Sequence, residues 1–346
     1  MTDDALALFA ELQPYCPEAH FAEGARLREA GRHYRDMLLV TEGEVEVVLD
    51  LPGAEERPLR RGAGEPIGEM GFLSGADASA TVTALTPLRA RRIDDAVLQS
   101  IERADPALYV RLLRRLDTFI ADRVDSDKAL AATGEGGDAL DIRLCRDEEM
   151  MLLAKRLRYQ IHCVERGRDA AGADHQAGLI EDRLDAFSTT FLAFDGLEPV
   201  GTIRISFAWK GDLGARVHRF GMDAEPCFPR GIALCSQLIV RRSRWRGAAA
   251  MRLVAAAIRF GRSNGATSCY IECVAPLVHR YRAMGFTQAG PAFDDGGRGA
   301  RYPMKLDTVR DSGPLSGALG SSTILYLYAK ATLIRLLDGV RGVAGM

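Results

Sequence analysis

The chain has 346 residues, of which 47% are apolar and 27% charged, and its 45 basic and 47 acidic side chains give a formal net charge of −2. That length exceeds a usual single domain of about 100–200 residues and is enough to bury two cores without metal or disulfide staples. A near-neutral balance argues against a general nucleic-acid binder, which carries a basic excess. The seven cysteines are Cys16, Cys145, Cys163, Cys227, Cys235, Cys269 and Cys273. Their number is odd and none forms C-x-x-C, so neither a disulfide framework nor a zinc site is expected, and no metal. The acidic start, Met1-Thr2-Asp3-Asp4, is no signal peptide, and no charge-free apolar stretch of about 20 residues occurs. A cytoplasmic protein is expected.

In chain order, residues 1–20 read as a short helix. From about residue 25 to 98 short apolar runs broken by glycine follow. Met37–Val40, the alternating Val45, Val47 and Leu49, then Thr81–Thr83 and Ala90–Ile93, keep a period of two. Such strands predict an antiparallel barrel or jelly roll. From Asp105 the period becomes helical, with Leu108, Leu112, Leu116 and Ile120 on one stripe. Ala132–Asp138 breaks all periodicity and reads as a linker.

Beyond it, Met150–Cys163 is predicted helical, and Thr189–Phe194 and Val200–Phe207 flank Asp195-Gly196 as a hairpin. A strand Ser236–Val240, a helix Arg246–Ser263, a strand Ser268–Val274 and a helix Pro276–Met284 follow. This order predicts a mixed α/β domain. The expected fold class is therefore α+β with two domains: a jelly roll with a C-terminal helix (1–131), a linker (132–139) and a mixed α/β domain (140–310). Residues 311–346 form an apolar tail. Its stretch 322–340 is open to three readings: domain packing, a cover over an acyl tunnel, or contact with a membrane surface.

Gly68-Glu69-Met70-Gly71-Phe72-Leu73, with Ser79-Ala80-Thr81-Val82 downstream and Leu39-Val40-x-x-Gly43-x-Val45-x-Val47 upstream, resembles the phosphate-binding cassette of cyclic nucleotide-binding domains. The resemblance covers about residues 20–128. It implies that Gly68, Glu69, Ser79 and Ala80 line a nucleotide site, with backbone N–H groups turned to the phosphate. The family's phosphate-pairing arginine falls on Ala78, beside Asp77. Losing a charge-assisted hydrogen bond of about 1.5–3 kcal/mol weakens binding roughly ten- to over a hundredfold. Arg60, Arg61 and Arg89 are candidate replacements.

Arg244-Trp245-Arg246-Gly247-Ala248-Ala249 matches R-x-x-G-x-A between a strand and an alanine-rich helix, and resembles the acyl-donor loop of the GNAT acyltransferase superfamily. There, small residues let helix N-terminal N–H groups approach a pyrophosphate or phosphopantetheine. The resemblance implies Val240, Arg244, Arg246, Gly247, Ala248 and Ala249 as donor contacts. It implies Tyr281 as the acid on the departing sulfur. Arg158, Asp182, Asp185, Arg204 and Ser236, in that order, with Arg298-x-x-Arg301-Tyr302-Pro303 further on, look like the acyl-homoserine-lactone synthases. They look more like the N-acyl amino acid synthases and exosortase-associated acyltransferases. This covers about residues 140–306 and implies an acyl carrier protein or acyl-coenzyme A donor and a small amine acceptor of amino-acid type. Arg158, Arg204 and Ser236 would order the N-terminal flap and the acceptor. The family's glutamate and arginine around the serine are replaced by Leu234 and Gln237.

Amide formation from a thioester needs a base for the ammonium, a donor to the carbonyl oxygen and a proton for the sulfur. Asp182, Asp185 and Glu272 are the base candidates, a backbone N–H near Val240 the oxyanion donor, and Tyr281 the acid. For both the carboxylates and Tyr281 a purely structural role weighs equally. The cysteines on strands read as small apolar core residues. The expected function is an N-acyltransferase with an atypical cyclic-nucleotide regulatory domain, and a homodimer is allowed. A cyclic-nucleotide-gated protein lysine acetyltransferase and a non-catalytic regulatory protein are the alternatives.

Overall fold

The computed structural model describes residues 2–49, 58–131, 140–168, 170–241, 246–294, 299–309, 315 and 321–344. The chain divides into two compact units, Met1–Gly137 with Leu325–Met346, and Asp138–Ile324. The expected linker, 132–139, lies outside the described residues.

In the first unit eight short strands build two four-stranded antiparallel sheets. One carries Glu18–Phe21, Leu88–Asp94, Asp36–Glu42 and Pro66–Ile67 in that spatial order; the other carries Arg26–Arg28, Ala80–Ala84, Glu44–Leu49 and Leu59–Gly62. The period of two puts Leu38 and Val40 of one sheet, and Val45, Val47 and Val82 of the other, into one buried cluster with Leu27, Ile67 and Leu88. This is the expected jelly roll. Gly43 sits at φ +92° in the turn between two strands, where a Cβ would lie 2.5 Å from the Pro87 carbonyl oxygen; only glycine fits.

Helix Asp95–Ala104 begins at Asp94, whose carboxylate accepts from the Val97 amide at 2.9 Å. The long helix Pro106–Ala131 is capped by Asp105, accepting from the Leu108 amide, with proline in its first turn. Its stripe Leu108, Leu112, Leu116 and Ile120 is buried. The tail forms a helix, Ser321–Ala344. Tyr326, Leu327, Ala329, Ala331 and Leu333 of this helix are buried. No described helix is long and apolar enough to cross a membrane.

The second unit is built on one sheet whose spatial order is Thr287–Gln288, Ala300–Asp307, Ser268–Val274, Ile232–Val240, Glu198–Phe207, Thr189–Asp195 and Leu140–Leu144. All neighbours are antiparallel except Ile232–Val240 and Ser268–Val274, which run parallel. Helix Arg246–Ser263 makes the crossover between them, as parallel strands require. It covers one face, where Gly261 lies against Ile205 and Cys269. Helix Glu148–Tyr159, started by Asp147 accepting from the Met150 amide, covers part of the other. There Ala154, Leu157 and Ile161 pack on Leu192, Phe194 and Ile239. The predicted helix Met150–Cys163 is helical throughout, its turns widening to a π-helix from Gln160 to Glu165. The predicted strand Ser236–Val240 is the second half of a longer one.

Candidate active site

Four charged side chains meet under the first helix of the second unit. Asp182 and Asp185 bracket a short 3-10 turn, Arg183–Phe187, as a reciprocal capping box. Asp185 accepts from Arg158 Nη1 at 2.9 and 3.0 Å, from Arg204 Nη1 at 2.9 Å and from the Asp182 amide at 3.0 Å. Asp182 accepts from Arg204 at 2.6 and 2.9 Å, from the Leu184 amide at 2.8 Å and from Gln237 Nε2 at 3.2 Å. Arg204 Nε donates to Ser236 Oγ at 3.1 Å, and Arg158 Nη2 to Thr190 Oγ1 at 3.3 Å. Arg158 and Arg204 are fully buried. Burial alone would raise both carboxyls, but Arg204 for Asp182, and Arg158 with Arg204 for Asp185, hold them below the usual carboxylate range.

Asp182 and Asp185 are therefore poor bases. Every carboxylate oxygen already accepts two hydrogen bonds, and their protons leave more readily than from free aspartate. The network instead fixes the loop before Thr189 onto the sheet. Gln237 reaches into it through its amide. Leu234 lies in an apolar cluster with Leu184, Leu213, Phe220, Met222, Ile232 and Tyr270.

The sheet opens beside this network. The parallel pairing holds for Ile232–Ser268, Ala233–Cys269 and Leu234–Tyr270 and then ends, although the strands run on to Val240 and Val274. The cause is local. Thr202 pairs with Ile239 and Arg204 with Ser236, so two residues, Gln237 and Leu238, oppose the single Ile203. Gln237 takes φ 52°, a left-handed conformation that side chains rarely adopt. This bulge turns the rest of the strand away. From Cys235 onward its edge has no strand partner among the described residues, leaving a row of backbone groups along the gap.

Side-chain alternation sorts the residues by face. Ser236 follows Leu234, and Glu272 follows Tyr270, on the face that carries the charged network. Glu272 is half-buried, with Oε1 3.5 Å from Arg216 Nη2. On the opposite face lie Cys235, Cys269 and Tyr281. Tyr281, on the helix Val278–Ala283, is buried edge-on to Phe286, with ring centroids 5.3 Å apart. Burial, together with the neighbouring thiols of Cys273 and Cys235, pushes its hydroxyl up, so it keeps its proton. Burial also pushes the Cys235 and Cys273 thiols up to about 12 and raises the Cys269 thiol well above its ordinary value. Reactive cysteines have the opposite shift, so these side chains fill core space.

Helix Arg246–Ser263 starts a few residues beyond the bulged strand. Gly247 and Ala248 are half-buried and Ala249 is buried, so small side chains line its opening turn. Arg244 and Arg298 lie outside the described residues. The described residues fit a phosphate-bearing donor: the N-terminal turn of a helix with small side chains at one end and the open strand edge beside it.

In the first unit, helix Glu69–Ser74 follows Gly68 at φ 80°. A Cβ on Gly68 would lie 2.7 Å from Arg28 Nε. Glu69 is wholly buried, 2.8 Å from Arg123 Nη1 of the long helix; burial raises its carboxyl, opposed by Arg123. Ser79 is exposed and Ala80 half-buried. Ala78 supplies no charge, and the exposed Asp77 lies 3.4 Å from His33. Arg61, one of the candidate replacements, pairs with Glu65 at 3.2 Å, and Arg89 with Glu42 at 3.5 Å. No side-chain cation stands at position 78, and the buried acid already has a cationic partner.

Comparisons with known proteins agree with this division. Residues 18–105 match the family model of the cyclic nucleotide-binding domain, and residues 154–307 match that of the N-acyl amino acid synthase FeeM. Among solved structures, FeeM, an N-acyl amino acid synthase from uncultured soil microbes, is 18% identical over 49% of this chain and 92% of its own, with a TM-score of 0.39. A cAMP-binding acyltransferase from Mycobacterium smegmatis is 15% identical over 95% of this chain and 92% of its own, at 0.30. A cyclic nucleotide-binding domain from Methylobacillus flagellatus is 23% identical over 38% and 84%, at 0.34. A search of curated proteins found no match. The two family models define the class: a cyclic nucleotide-binding-type domain followed by an acyltransferase domain. Over residues 154–307 the second domain is similar to the N-acyl amino acid synthases.

The sequence-derived candidates separate into three groups. Arg158, Asp182, Asp185, Arg204 and Ser236 form one connected network, Glu272 and Val240 border the gap, and Tyr281 lies on its far face. Two features escaped sequence reading: the bulge at Gln237, signalled only by a polar pair interrupting an apolar run, and Arg216, which carries no motif.

Proposed function

We propose that the second unit moves an acyl group from a phosphopantetheine thioester, the arm that coenzyme A and acyl carrier protein share, to the amino group of a small amino acid. The observation that carries this reading is the parting of the strands beyond Leu234 and Tyr270. An extended pantetheine arm can hydrogen-bond along the unpaired edge Cys235–Val240, as a strand would, with its phosphates at Gly247–Ala249. The thioester carbonyl then meets N–H groups of the bulged segment ending at Val240, which stabilise the oxyanion. Glu272 takes the ammonium proton, the amine nitrogen bonds to the carbonyl carbon, and as the C–S bond breaks the nitrogen's second proton passes to the departing sulfur, which leaves as the thiol. Tyr281 donates a hydrogen bond to the departing sulfur from the opposite face. Arg158, Asp185, Arg204 and Asp182 hold the site in shape without exchanging protons with substrate.

The first unit, in this reading, keeps the cyclic nucleotide-binding fold with its nucleotide site closed by the Glu69–Arg123 pair. The test is extraction of an expressing strain and mass spectrometry for N-acyl amino acids. New N-acyl masses are expected; their absence, with no thioester turnover in vitro, overturns the reading.

A further inference from the structure

The described cations near the gap are mostly committed. Arg158 and Arg204 serve Asp182 and Asp185; Arg183 pairs with Asp212 at 2.8 Å; Arg241 pairs with Glu165 and Glu198. Lys305 pairs with Glu225, which also accepts from Tyr270. Arg219 stacks on Phe293, 4.6 Å from its centroid. Arg216 differs. It opens the turn Arg216–Arg219, its side chain is 37% exposed, and its ion-pair contact with Glu272 is a long one, 3.5 Å. The neighbouring Val217 anchors this turn on the apolar cluster of Leu184, Leu234 and Tyr270.

We propose that Arg216 is the specificity residue for the acceptor: it binds the α-carboxylate while Glu272 receives the α-ammonium. The proposal rests on the acyltransferase reading above and assigns the acceptor class as free α-amino acids rather than plain amines or peptide lysines. An α-amino acid carries both complementary charges as substituents of one carbon, and the two protein groups that would meet them stand 3.5 Å apart. Inserting it exchanges one long, half-exposed ion pair for two charge-assisted contacts. A lysine side chain or simple amine offers only the ammonium and leaves Arg216 partnered to the base it should release.

The experiment supplies the purified full-length protein with octanoyl- to palmitoyl-coenzyme A, or the same chains on acyl carrier protein. The acceptors are the proteinogenic amino acids and their α-amides, and products are read by mass spectrometry. The wild type should favour the acid over its amide, and R216Q should bring the ratio of kcat/KM values close to one, a fall of about 10–100-fold. R216K should keep part of the preference. The ratio is internal to each variant, so partial misfolding does not mimic the result. A wild type that acylates amides as well as acids overturns the proposal and leaves the acyltransferase standing. So does a variant in which both rates fall together, since Arg216 then only positions Glu272. No product from any donor and acceptor overturns the underlying reading as well.

Discussion

Ser236 and Glu272 stand at the same step of the sheet, each two residues beyond Leu234 and Tyr270, the last couple joined by parallel pairing. One is tied through Arg204 to the buried charge network. Among the described residues, the other's carboxylate meets Arg216 through a long contact. The proposed acyl transfer takes place in the gap between them.

Glu272→Gln should lower kcat for ammonium acceptors by about 100-fold or more while leaving KM for the acyl donor nearly unchanged. Hydroxylamine, whose nitrogen is unprotonated at neutral pH, should restore much of the rate. Equal loss with both nucleophiles would remove Glu272 as the base.

Asp185→Ala leaves two guanidinium groups, each at most 2% exposed, without their shared carboxylate. A cost of about 3–5 kcal/mol is expected, seen as a lower urea midpoint at unchanged slope.

The same carboxylates set a pH response. Asp182 and Asp185 have folded pKa values below their unfolded ones, so the unfolded chain binds more protons in that interval. Their stabilisation is complete above the unfolded value of about 3.9 and is lost as pH falls through the folded values. Glu69 has the opposite sign. Its folded pKa is raised, so ionisation costs stability, and that cost is relieved as pH falls through the folded value. Unfolding followed by probes in each unit should show the first unit gaining stability from Glu69 under mild acid, with that gain absent in Glu69→Gln. The second unit should lose stability only at more acid pH.

Tyr281→Phe should slow transfer from alkyl thioesters by roughly tenfold or more, the worth of a hydrogen bond to a developing charge. With a thiophenyl ester, whose sulfur leaves without help, the defect should shrink. An equal defect with both donors would make Tyr281 a packing residue.

Calorimetric titration of the protein with cyclic AMP or cyclic GMP should give no heat at concentrations that saturate typical binding domains. Clear heat from either nucleotide contradicts the closed cassette.

The jelly roll and the long helix were legible because their signals are local: alternation through Val45–Leu49, and the stripe Leu108–Ile120. The second sheet was legible for the same reason. The network residues could be named in order from their resemblance, but the network's chemistry could not. Whether Asp182 and Asp185 are bases depends on how many donors reach each oxygen, and those donors come from Arg158, Arg204 and Gln237 on three other elements. The bulge is a property of how two strands pair, and no residue announces it; Gln237 has no intrinsic preference for a positive φ. Arg216 and Glu272 lie 56 residues apart and meet only when the turn packs on Tyr270's strand. Glu69 and Arg123 likewise meet only when the long helix folds back on the cassette, so the motif names the glutamate but not its ion-pair partner.

The central claim is acyl transfer in the gap beyond Leu234 and Tyr270, and thiol release measures it directly. Purified protein is mixed with acyl-coenzyme A or acyl carrier protein thioesters, with and without amino acids, and free thiol is followed with time. The account predicts release that depends on the amino acid, matches the N-acyl product mole for mole, and falls sharply in Glu272→Gln. Release that ignores the amino acid, or that survives unchanged in Glu272→Gln, contradicts it.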